Sequence, residues 1–325
     1  MVTNDRAVKS VMVVGCGSIG KRHITNLLAI DLIEKIYVVT ENQRCLEGLE
    51  NSDKIIIAAS TENIRADFAI IANETSKHMS TAIELAKAGM HLFIEKPLSH
   101  NLENIEVLKS VAEKYDLKIF IAYNLRFLGV FNIIREIIDN RKIGDLYFAK
   151  LEVGQYLPDW RPGRDYRDTY SASNNGGGGV ALDLSHEIDC MRYLFGDPSS
   201  WKVFKTRVSN IQIETDDIFE GTYLFPNQFL CNVHMDYLQR KKTRMLRIVG
   251  SEGTIVCNFI DKHIQIDANN EKTLITTEDL FDINRTYKDE LYHFFNVVAS
   301  RTEPMITLID GIKVLELLED KYVSE

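Results

Sequence analysis

Two side chains that can carry protons near neutral pH stand in motifs of unusual composition. Lys96 lies in the tripeptide Glu95-Lys96-Pro97, and His186 follows shortly after a four-glycine run at residues 176–179. A free imidazole titrates at about pH 6.5 and suits acid–base chemistry, and a lysine amine does so where desolvation favours its neutral form. Proline restricts the preceding residue to extended backbone, so Lys96 is predicted to project in a fixed direction. Taken alone, this tripeptide favours a surface lysine.

The segment 180–195 is predicted to form one helix that carries His186. In such a helix Asp183, His186 and Cys190 share one face, because residues three and four apart are neighbours on a helix surface. The glycine run before the helix has no side chains and allows a ligand to approach the backbone closely. A solvated polar face is the alternative interpretation.

A glycine-rich turn separates the first predicted strand, residues 11–14, from the first predicted helix, and it reads Gly15-Cys16-Gly17-Ser18-Ile19-Gly20. The first glycine permits a tight turn, the second lets a pyrophosphate approach the backbone, and the third allows close packing of helix and strand. The N-terminus of the helix offers free N–H groups to the phosphates. We interpret all the residues of this turn except Cys16 as binding a dinucleotide.

Glu41 follows the second predicted strand, near the usual place of the acid that binds the adenosine ribose hydroxyls. A carboxylate there repels a 2′-phosphate and favours NAD. Thr40 and Arg44 keep NADP open, so the cofactor is predicted as NAD or NADP with a preference for NAD. A surface glutamate at a turn is the alternative.

The pattern of apolar runs predicts an α/β fold with two domains. Over residues 1–123, short continuous apolar strands alternate with helices, as in a doubly wound parallel sheet of the Rossmann type. Over residues 124–325, consecutive strands without intervening helices predict an α+β domain with an open, mainly antiparallel sheet. That domain is expected to bind substrate, and the uncovered face of its sheet favours a homodimer or homotetramer.

Composition excludes several classes of partner. The chain has 38 basic and 47 acidic residues, for a formal charge of −9, which is not expected of a nucleic-acid-binding protein. No apolar run reaches the ~18 residues that span a membrane, and the polar N-terminus lacks a signal-peptide core, so a cytoplasmic location is expected. Five widely spaced cysteines favour free thiols and argue against a metal site.

These motifs together resemble the Gfo/Idh/MocA family, which includes glucose–fructose oxidoreductase and inositol dehydrogenase. The resemblance is carried by the early glycine turn, by Glu95-Lys96-Pro97, and by the glycine-rich helix with Asp183 and His186-Glu187-Ile188-Asp189. It implies hydride exchange between NAD(P) and a secondary alcohol or ketone carbon of a sugar or cyclitol. It also implies that Lys96 and His186 face the reacting oxygen.

The resemblance implies roles for further residues. Ala72-Asn73-Glu74 is similar to the family's loop near the nicotinamide ribose, with His78 at the place of a common histidine, and Ala72, Asn73, Glu95 and Lys96 are expected to contact cofactor. The family's helix usually carries its acid four residues before the histidine, where this chain has Leu182. Asp183 or Asp189 is therefore expected to orient His186.

The loop at residues 156–167 is similar to members associated with surface-glycan sugar biosynthesis. Its tryptophan can stack on a sugar or base, and its arginines can hold phosphate or carboxylate, although solvated arginines are the alternative. The predicted substrate-binding residues are Lys96, Arg126, Trp160, Arg161, Arg164, Tyr170, Asp183 and His186.

Two other functions stay open: a non-catalytic NAD(P)-binding sugar sensor, and a C=N reductase of the imine or biliverdin type.

Overall fold

The structure is a computed structural model that describes residues 8–41, 46–49 and 52–320. The chain divides into two compact units. The first contains residues Met1–Tyr123 and Tyr287–Leu315, and the second contains Asn124–Thr286 and Glu316–Glu325.

The first unit is built on a six-stranded, entirely parallel sheet with the strand order β3-β2-β1-β4-β5-β6. Its strands are β1 (Ser10–Val14), β2 (Lys35–Val39), β3 (Ile55–Ala58), β4 (Phe68–Ile71), β5 (His91–Glu95) and β6 (Ile119–Ala122). The order reverses between β1 and β4, which is the position where open α/β sheets bind ligands at the carboxyl ends of their strands. The predicted Rossmann sheet is confirmed.

Helices connect these parallel strands, as parallel pairing requires. They are α1 (Ser18–Leu28), α2 (His78–Lys87) and α3 (Ile105–Lys114). The strands β1, β4, β5 and β6 are almost completely buried, and this explains their continuous apolar sequences. Strand β3 lies at the edge of the sheet and is only partly buried.

Two C-terminal helices, α7 (Ile283–Val298) and α8 (Leu308–Leu317), contribute most of their length to the first unit. The prediction assigned all residues after 123 to one C-terminal domain, whereas Tyr287–Leu315 packs with the first unit. The reason is aromatic burial: the ring of Phe294 packs against the rings of Phe68, Phe93 and Phe120 at centroid distances of 5.1 to 5.7 Å.

The second unit is built on an eight-stranded sheet with the order β14-β13-β12-β11-β7-β10-β9-β8. Its strands are β7 (Leu146–Gly154), β8 (Ser200–Thr206), β9 (Ile218–Leu224), β10 (Leu230–Asp236), β11 (Thr243–Gly250), β12 (Gly253–Asn258), β13 (His263–Ala268) and β14 (Glu271–Ile275). All neighbours pair antiparallel except β7 and β10, which are parallel. The predicted, mainly antiparallel sheet is confirmed. Buried and exposed residues alternate along β9, as expected when one face of a sheet is covered.

The helical part of the second unit contains α4 (Gly129–Asp139) and two short helices where one was predicted. These are α5 (Val180–Asp183) and α6 (His186–Phe195), and the interruption falls at Leu184 and Ser185. The prediction that Asp183, His186 and Cys190 share one face of a continuous helix is therefore wrong. Asp183 ends α5, whereas His186 begins α6.

The cysteine prediction fails at one residue. Cys16 is disulfide-bonded, contrary to the expectation of free thiols, whereas Cys190, Cys231 and Cys257 are free and buried. Burial raises the pKa of all three thiols, so they stay protonated. Cys45 lies outside the described residues.

Among the helices that the structure describes, none has the length and apolar character to cross a membrane.

Candidate active site

The glycine turn after β1 has the geometry of a dinucleotide cradle. A Cβ atom on Gly15 would lie 2.5 Å from the backbone nitrogen of Asn73, and one on Gly20 would lie 2.1 Å from the carbonyl oxygen of Gly15. Both glycines are therefore required by close packing. Around Gly17, by contrast, a Cβ would meet no atom within 4 Å, so the space over its backbone is open. This open space lies where α1 begins, next to backbone N–H groups that can hold a phosphate.

The other predicted cofactor residues surround the same strand ends. Ser18 and Ile19 form the first positions of α1, and Glu41 is an exposed residue just after β2. Arg44, the residue that kept NADP open, lies outside the described residues.

The loop after β4 is fixed by hydrogen bonds of its own side chains. Ala72 is buried, and the Nδ2 amide of Asn73 donates to Oγ1 of Thr81 at 3.0 Å. The Oδ1 atom of Asn73 is buried and accepts no hydrogen bond from the described residues. His78, the first residue of α2, lies with Nε2 3.2 Å from the carbonyl oxygen of Asn73.

Lys96 directly follows β5 and is half-buried between two buried neighbours. The carboxylate of Glu95 contacts Nε2 of His23 at 2.6 Å, although sequence analysis placed Glu95 among the cofactor contacts. The peptide bond between Lys96 and Pro97 is cis, and the carbonyl oxygen of Pro97 lies 2.9 Å from Nδ1 of His78. Both residues that flank Lys96 are thus held from the interior of the first unit.

His186 is the first residue of α6 and is half-buried. The next residue, Glu187, is buried and forms an ion pair with Arg244 of β11 at 2.7 Å. This pair ties the first turn of α6 to the sheet behind it.

A second ion pair fixes the same turn and joins two residues for which other roles were predicted. Asp189 is fully buried and accepts three hydrogen bonds from the guanidinium of Arg126, at 2.6 to 3.1 Å. Arg126 is itself only 7% exposed. Arg126 was predicted to bind substrate and Asp189 to orient His186, but their charges face each other inside the second unit.

Four of the predicted substrate residues belong to one network of contacts, which also contains a tyrosine that sequence analysis did not identify. Tyr237, fully buried at the end of β10, donates from its hydroxyl to Oδ2 of Asp183 at 2.6 Å. Tyr170 also hydrogen-bonds Asp183, and the charge of that carboxylate together with burial raises the pKa of Tyr170. The ring of Trp160 packs edge-on against that of Tyr237 with centroids 5.1 Å apart, and the guanidinium of Arg161 lies 5.2 Å above the ring of Tyr170.

We call these five residues the tyrosine–aspartate cluster: Trp160, Arg161, Tyr170, Asp183 and Tyr237. Its two phenols remain protonated donors, because burial and the aspartate charge disfavour the phenolates. Tyr237 directly follows a strand in which buried and half-buried residues alternate. Its sequence context therefore predicts a core residue and gives no signal of this role.

The glycine run at residues 176–179 was predicted to let a ligand approach the backbone. In the structure it packs against other residues of the chain. A Cβ on Gly178 would lie 2.1 Å from the carbonyl oxygen of Tyr170, and one on Gly179 would lie 2.5 Å from a carboxylate oxygen of Asp216. Gly178 is needed because the chain passes this close to its own backbone, and Gly179 is favoured because its φ is +113°.

The remaining loop arginine, Arg164, is exposed and donates to the carbonyl oxygen of Asp168 at 3.2 Å. This hydrogen bond links the loop at residues 156–167 to the residue that follows it by one position, and Arg164 is not part of the tyrosine–aspartate cluster.

Two family models match the chain. Residues 9–123 match "Oxidoreductase family, NAD-binding Rossmann fold", and residues 131–256 match "GFO/IDH/MocA C-terminal domain". Together they cover the sheet of the first unit and most of the sheet of the second.

The chain is similar to several dehydrogenases over nearly its full length. It is 28% identical to myo-inositol 2-dehydrogenase of Thermotoga maritima, over 94% of this chain and 92% of that protein. Among solved structures it resembles the WlbA dehydrogenase from Bordetella pertussis in complex with NADH and UDP-GlcNAcA, with a TM-score of 0.83, 19% identity and coverage of 96% and 94%. It also resembles levoglucosan dehydrogenase in complex with NADH and levoglucosan, with a TM-score of 0.82, 18% identity and 95% coverage of each chain.

Proposed function

The chain belongs to the Gfo/Idh/MocA family of oxidoreductases, and on that premise we propose that it exchanges a hydride between NAD(P), with NAD preferred, and a sugar-like alcohol. The reacting carbon is a secondary alcohol or ketone carbon of a sugar, a sugar derivative or a cyclitol. The observation that carries the proposal is the glycine turn, where two glycines are required by packing and Gly17 faces open space. The substrate class is supported by the names of the relatives, which act on inositol and levoglucosan.

The residues present fit the cofactor. The backbone N–H groups at the start of α1 would hold the pyrophosphate, and Glu41 would bind the ribose hydroxyls of NAD. The loop of Ala72 and Asn73 would lie against the nicotinamide ribose. When bound, the nicotinamide supplies the hydride acceptor or donor.

Proton handling falls to two residues in this proposal. In the oxidation direction His186 accepts the hydroxyl proton as general base, and Lys96 hydrogen-bonds the same oxygen and stabilises the developing alkoxide. The position of His186 in a helical turn that two ion pairs fix supports its role, because a general base must be held within reach of the proton that it accepts.

The tyrosine–aspartate cluster would bind the hydroxyl groups of the substrate. The half-buried phenol of Tyr170 shares the Asp183 carboxylate with the fully buried Tyr237, which fixes its position, and Trp160 adds an aromatic face of the kind that stacks on sugars. Asp183 acts here through the two tyrosines that donate to it.

The test is an absorbance assay at 340 nm with NAD+ or NADP+ and a panel that contains myo-inositol, levoglucosan, glucose 6-phosphate and UDP-N-acetylglucosamine. We expect reduction of nucleotide with at least one member of the panel. Lys96→Met should keep nucleotide binding, measured by calorimetry, and should lower turnover at least ~100-fold, as removal of an acid–base group does.

Two results would contradict the proposal. Sugars that raise the melting temperature without ever changing the redox state of the nucleotide would indicate a sensor. Turnover with imines but with no alcohol of the panel would indicate a C=N reductase.

We also propose that the chain forms a homodimer or homotetramer and works in the cytoplasm. Exposed apolar side chains on the outer face of the second sheet, Phe204 and Leu224 among them, support an interface there. Light scattering after size exclusion should give a multiple of the 325-residue mass, and Phe204→Glu should reduce it. A monomeric mass at micromolar concentration would contradict the interface.

A further inference from the structure

Two buried histidines contact the residues on either side of Lys96. His23 on α1 is 0% exposed and His78 at the start of α2 is 2% exposed. One reaches the side chain of Glu95 and the other reaches the backbone of Pro97. All of these residues belong to the first unit. The half-buried Lys96 therefore extends from a short segment that is held at both ends.

The first contact is a short hydrogen bond in an apolar environment. Nε2 of His23 lies 2.6 Å from Oε1 of Glu95, which is 7% exposed. The imidazole packs edge-on against the rings of Phe93 and Tyr287, with centroids 5.2 and 6.3 Å away. These rings leave the imidazole little freedom to turn, so the Nε2–H donor keeps its direction toward Glu95.

The second contact requires a particular tautomer. Nδ1 of His78 lies 2.9 Å from the carbonyl oxygen of Pro97, and Nε2 lies 3.2 Å from that of Asn73. Burial lowers the pKa of His78, so the neutral ring has one N–H for two carbonyl oxygens. The shorter contact indicates that Nδ1 carries the proton and donates to Pro97.

A metal ion is the rival explanation for the first contact. Glu290 of α7 lies beside His23 and Glu95, with ligand atoms of the three residues within 4.8 Å of one another. Ligand atoms at 2.0–2.1 Å from a tetrahedral zinc are about 3.4 Å apart, so a 2.6 Å contact leaves room only for a proton. Burial and the charge of Glu95 also raise the pKa of Glu290, and a protonated carboxyl is a poor ligand.

From these contacts we propose that His23 and His78 are positioning residues for Lys96, each placing one N–H donor so that the lysine amine emerges in a single orientation. This inference rests on the proposed function, because it assumes that Lys96 acts on the substrate oxygen. The gain is geometric, since displacement of a reacting group by about 1 Å can lower a rate ~100-fold.

The two histidines allow matched substitutions. The amide of asparagine can place an N–H where Nδ1 of histidine stands, and the amide of glutamine can place one where Nε2 stands. His78→Asn and His23→Gln thus keep the donors, whereas His78→Leu and His23→Leu remove them. His78→Gln and His23→Asn keep an amide but place its N–H at the wrong depth.

Two readouts separate positioning from general stability. One is kcat with saturating cofactor and the panel substrate that gives turnover. The other is the acetylation rate of Lys96 with acetic anhydride, followed by mass spectrometry across pH 7–10, which needs no turnover. Both are measured at least ~10 °C below the melting temperature of each variant, a margin wider than the roughly 4–8 °C that a loss of about 2 kcal/mol produces in a domain of about 150–250 residues.

We expect the donor-keeping variants to retain kcat within about threefold and the donor-removing and wrong-depth variants to lose about 10- to 100-fold. The KM for the cofactor should stay unchanged, and the acetylation profile of Lys96 should shift in the same variants that lose kcat. Equal kcat and equal acetylation in all six variants would overturn the inference. Stoichiometric zinc or manganese in the purified wild-type protein would also overturn it.

The outcome for Lys96→Met keeps the two hypotheses apart. Normal turnover in Lys96→Met would remove Lys96 from the proposed mechanism. Acetylation of Lys96 in the wild type and the histidine variants would still report whether His23 and His78 set the environment of the amine.

Discussion

The segments that carry Lys96 and His186 are fixed by different chemistry. In the first unit, buried imidazoles hydrogen-bond the residues on either side of Lys96. In the second unit, two arginine–carboxylate pairs fix the first turn of α6, which begins at His186. Loss of one partner from a buried ion pair leaves an uncompensated charge, whereas loss of a single N–H donor removes one hydrogen bond. The segment that carries His186 thus depends on the balance of buried charges, and the segment that carries Lys96 depends on the position of its N–H donors.

The largest expected effect breaks the charge balance of the second unit. Asp189→Leu leaves the guanidinium of Arg126 buried without its carboxylate, and removal of one member of such a pair costs about 3–5 kcal/mol of unfolding free energy. Chemical denaturation measures this loss. The double variant Arg126→Met/Asp189→Leu should recover most of it, and a double variant as unstable as the single one would contradict the charge argument.

The next effect concerns the neutral carboxyl of the first unit. Burial and the charge of Glu95 raise the pKa of Glu290, so folding takes up a proton that the unfolded carboxyl gives up above its ordinary pKa of 4.5. Stability tied to this group is full below pH 4.5 and falls as pH rises toward the raised pKa, by up to about 1.4 kcal/mol per pH unit. Glu290→Gln needs no proton, so it should gain stability relative to wild type from pH 5 to pH 8, as measured by melting temperature.

An advantage for Glu290→Gln that does not grow with pH would show that Glu290 is ionised in the native state. Glu290→Leu serves as the control, because it too lacks the titration but also loses the polar group beside His23.

The tyrosine–aspartate cluster combines features of the ion pairs and of the neutral hydrogen bonds, because its neutral phenols donate to a charged carboxylate. Tyr237→Phe removes the 2.6 Å bond to Asp183, and a hydrogen bond to a charged group contributes about 1.5–3 kcal/mol. We expect a loss of that size in unfolding free energy together with a higher KM for the sugar. An unchanged KM for the sugar together with reduced stability would show that the hydrogen bond between Tyr237 and Asp183 stabilises the fold and has no part in substrate binding.

The smallest effect comes from a histidine with ionised partners near the surface. His234 of β10 contacts Glu220 at 2.5 Å and Asp236 at 2.8 Å, and these hydrogen bonds, the one to Asp236 first, raise its pKa to about 8. A pKa raised from 6.5 to about 8 stabilises the fold by at most about 2 kcal/mol. This stability is present below pH 6.5 and is lost as pH rises through 8. Wild type should exceed His234→Gln in melting temperature at pH 6 and match it at pH 9, and a constant difference would contradict the titration.

Local patterns predicted the elements that a short stretch of chain can specify. The glycine turn is one example, because the packing demands on Gly15 and Gly20 come from residues that a strand-turn-helix brings together. The antiparallel sheet of the second unit is another, since alternating burial follows the two faces of a strand. The interruption at Leu184 and Ser185 was missed, because apolar spacing alone continues through it.

The sequence by itself determined the parallel sheet, the cradle for a dinucleotide and the family, because each is written in neighbouring residues with fixed spacing. Only the tertiary structure decided which acid faces which base. Asp189 meets Arg126 across 63 positions of the chain, and Glu95 meets His23 across 72. A buried charged group is stable only when a partner compensates its charge. The chain contains many carboxylates that could be that partner, and the packing of the folded chain determines which of them lies close enough.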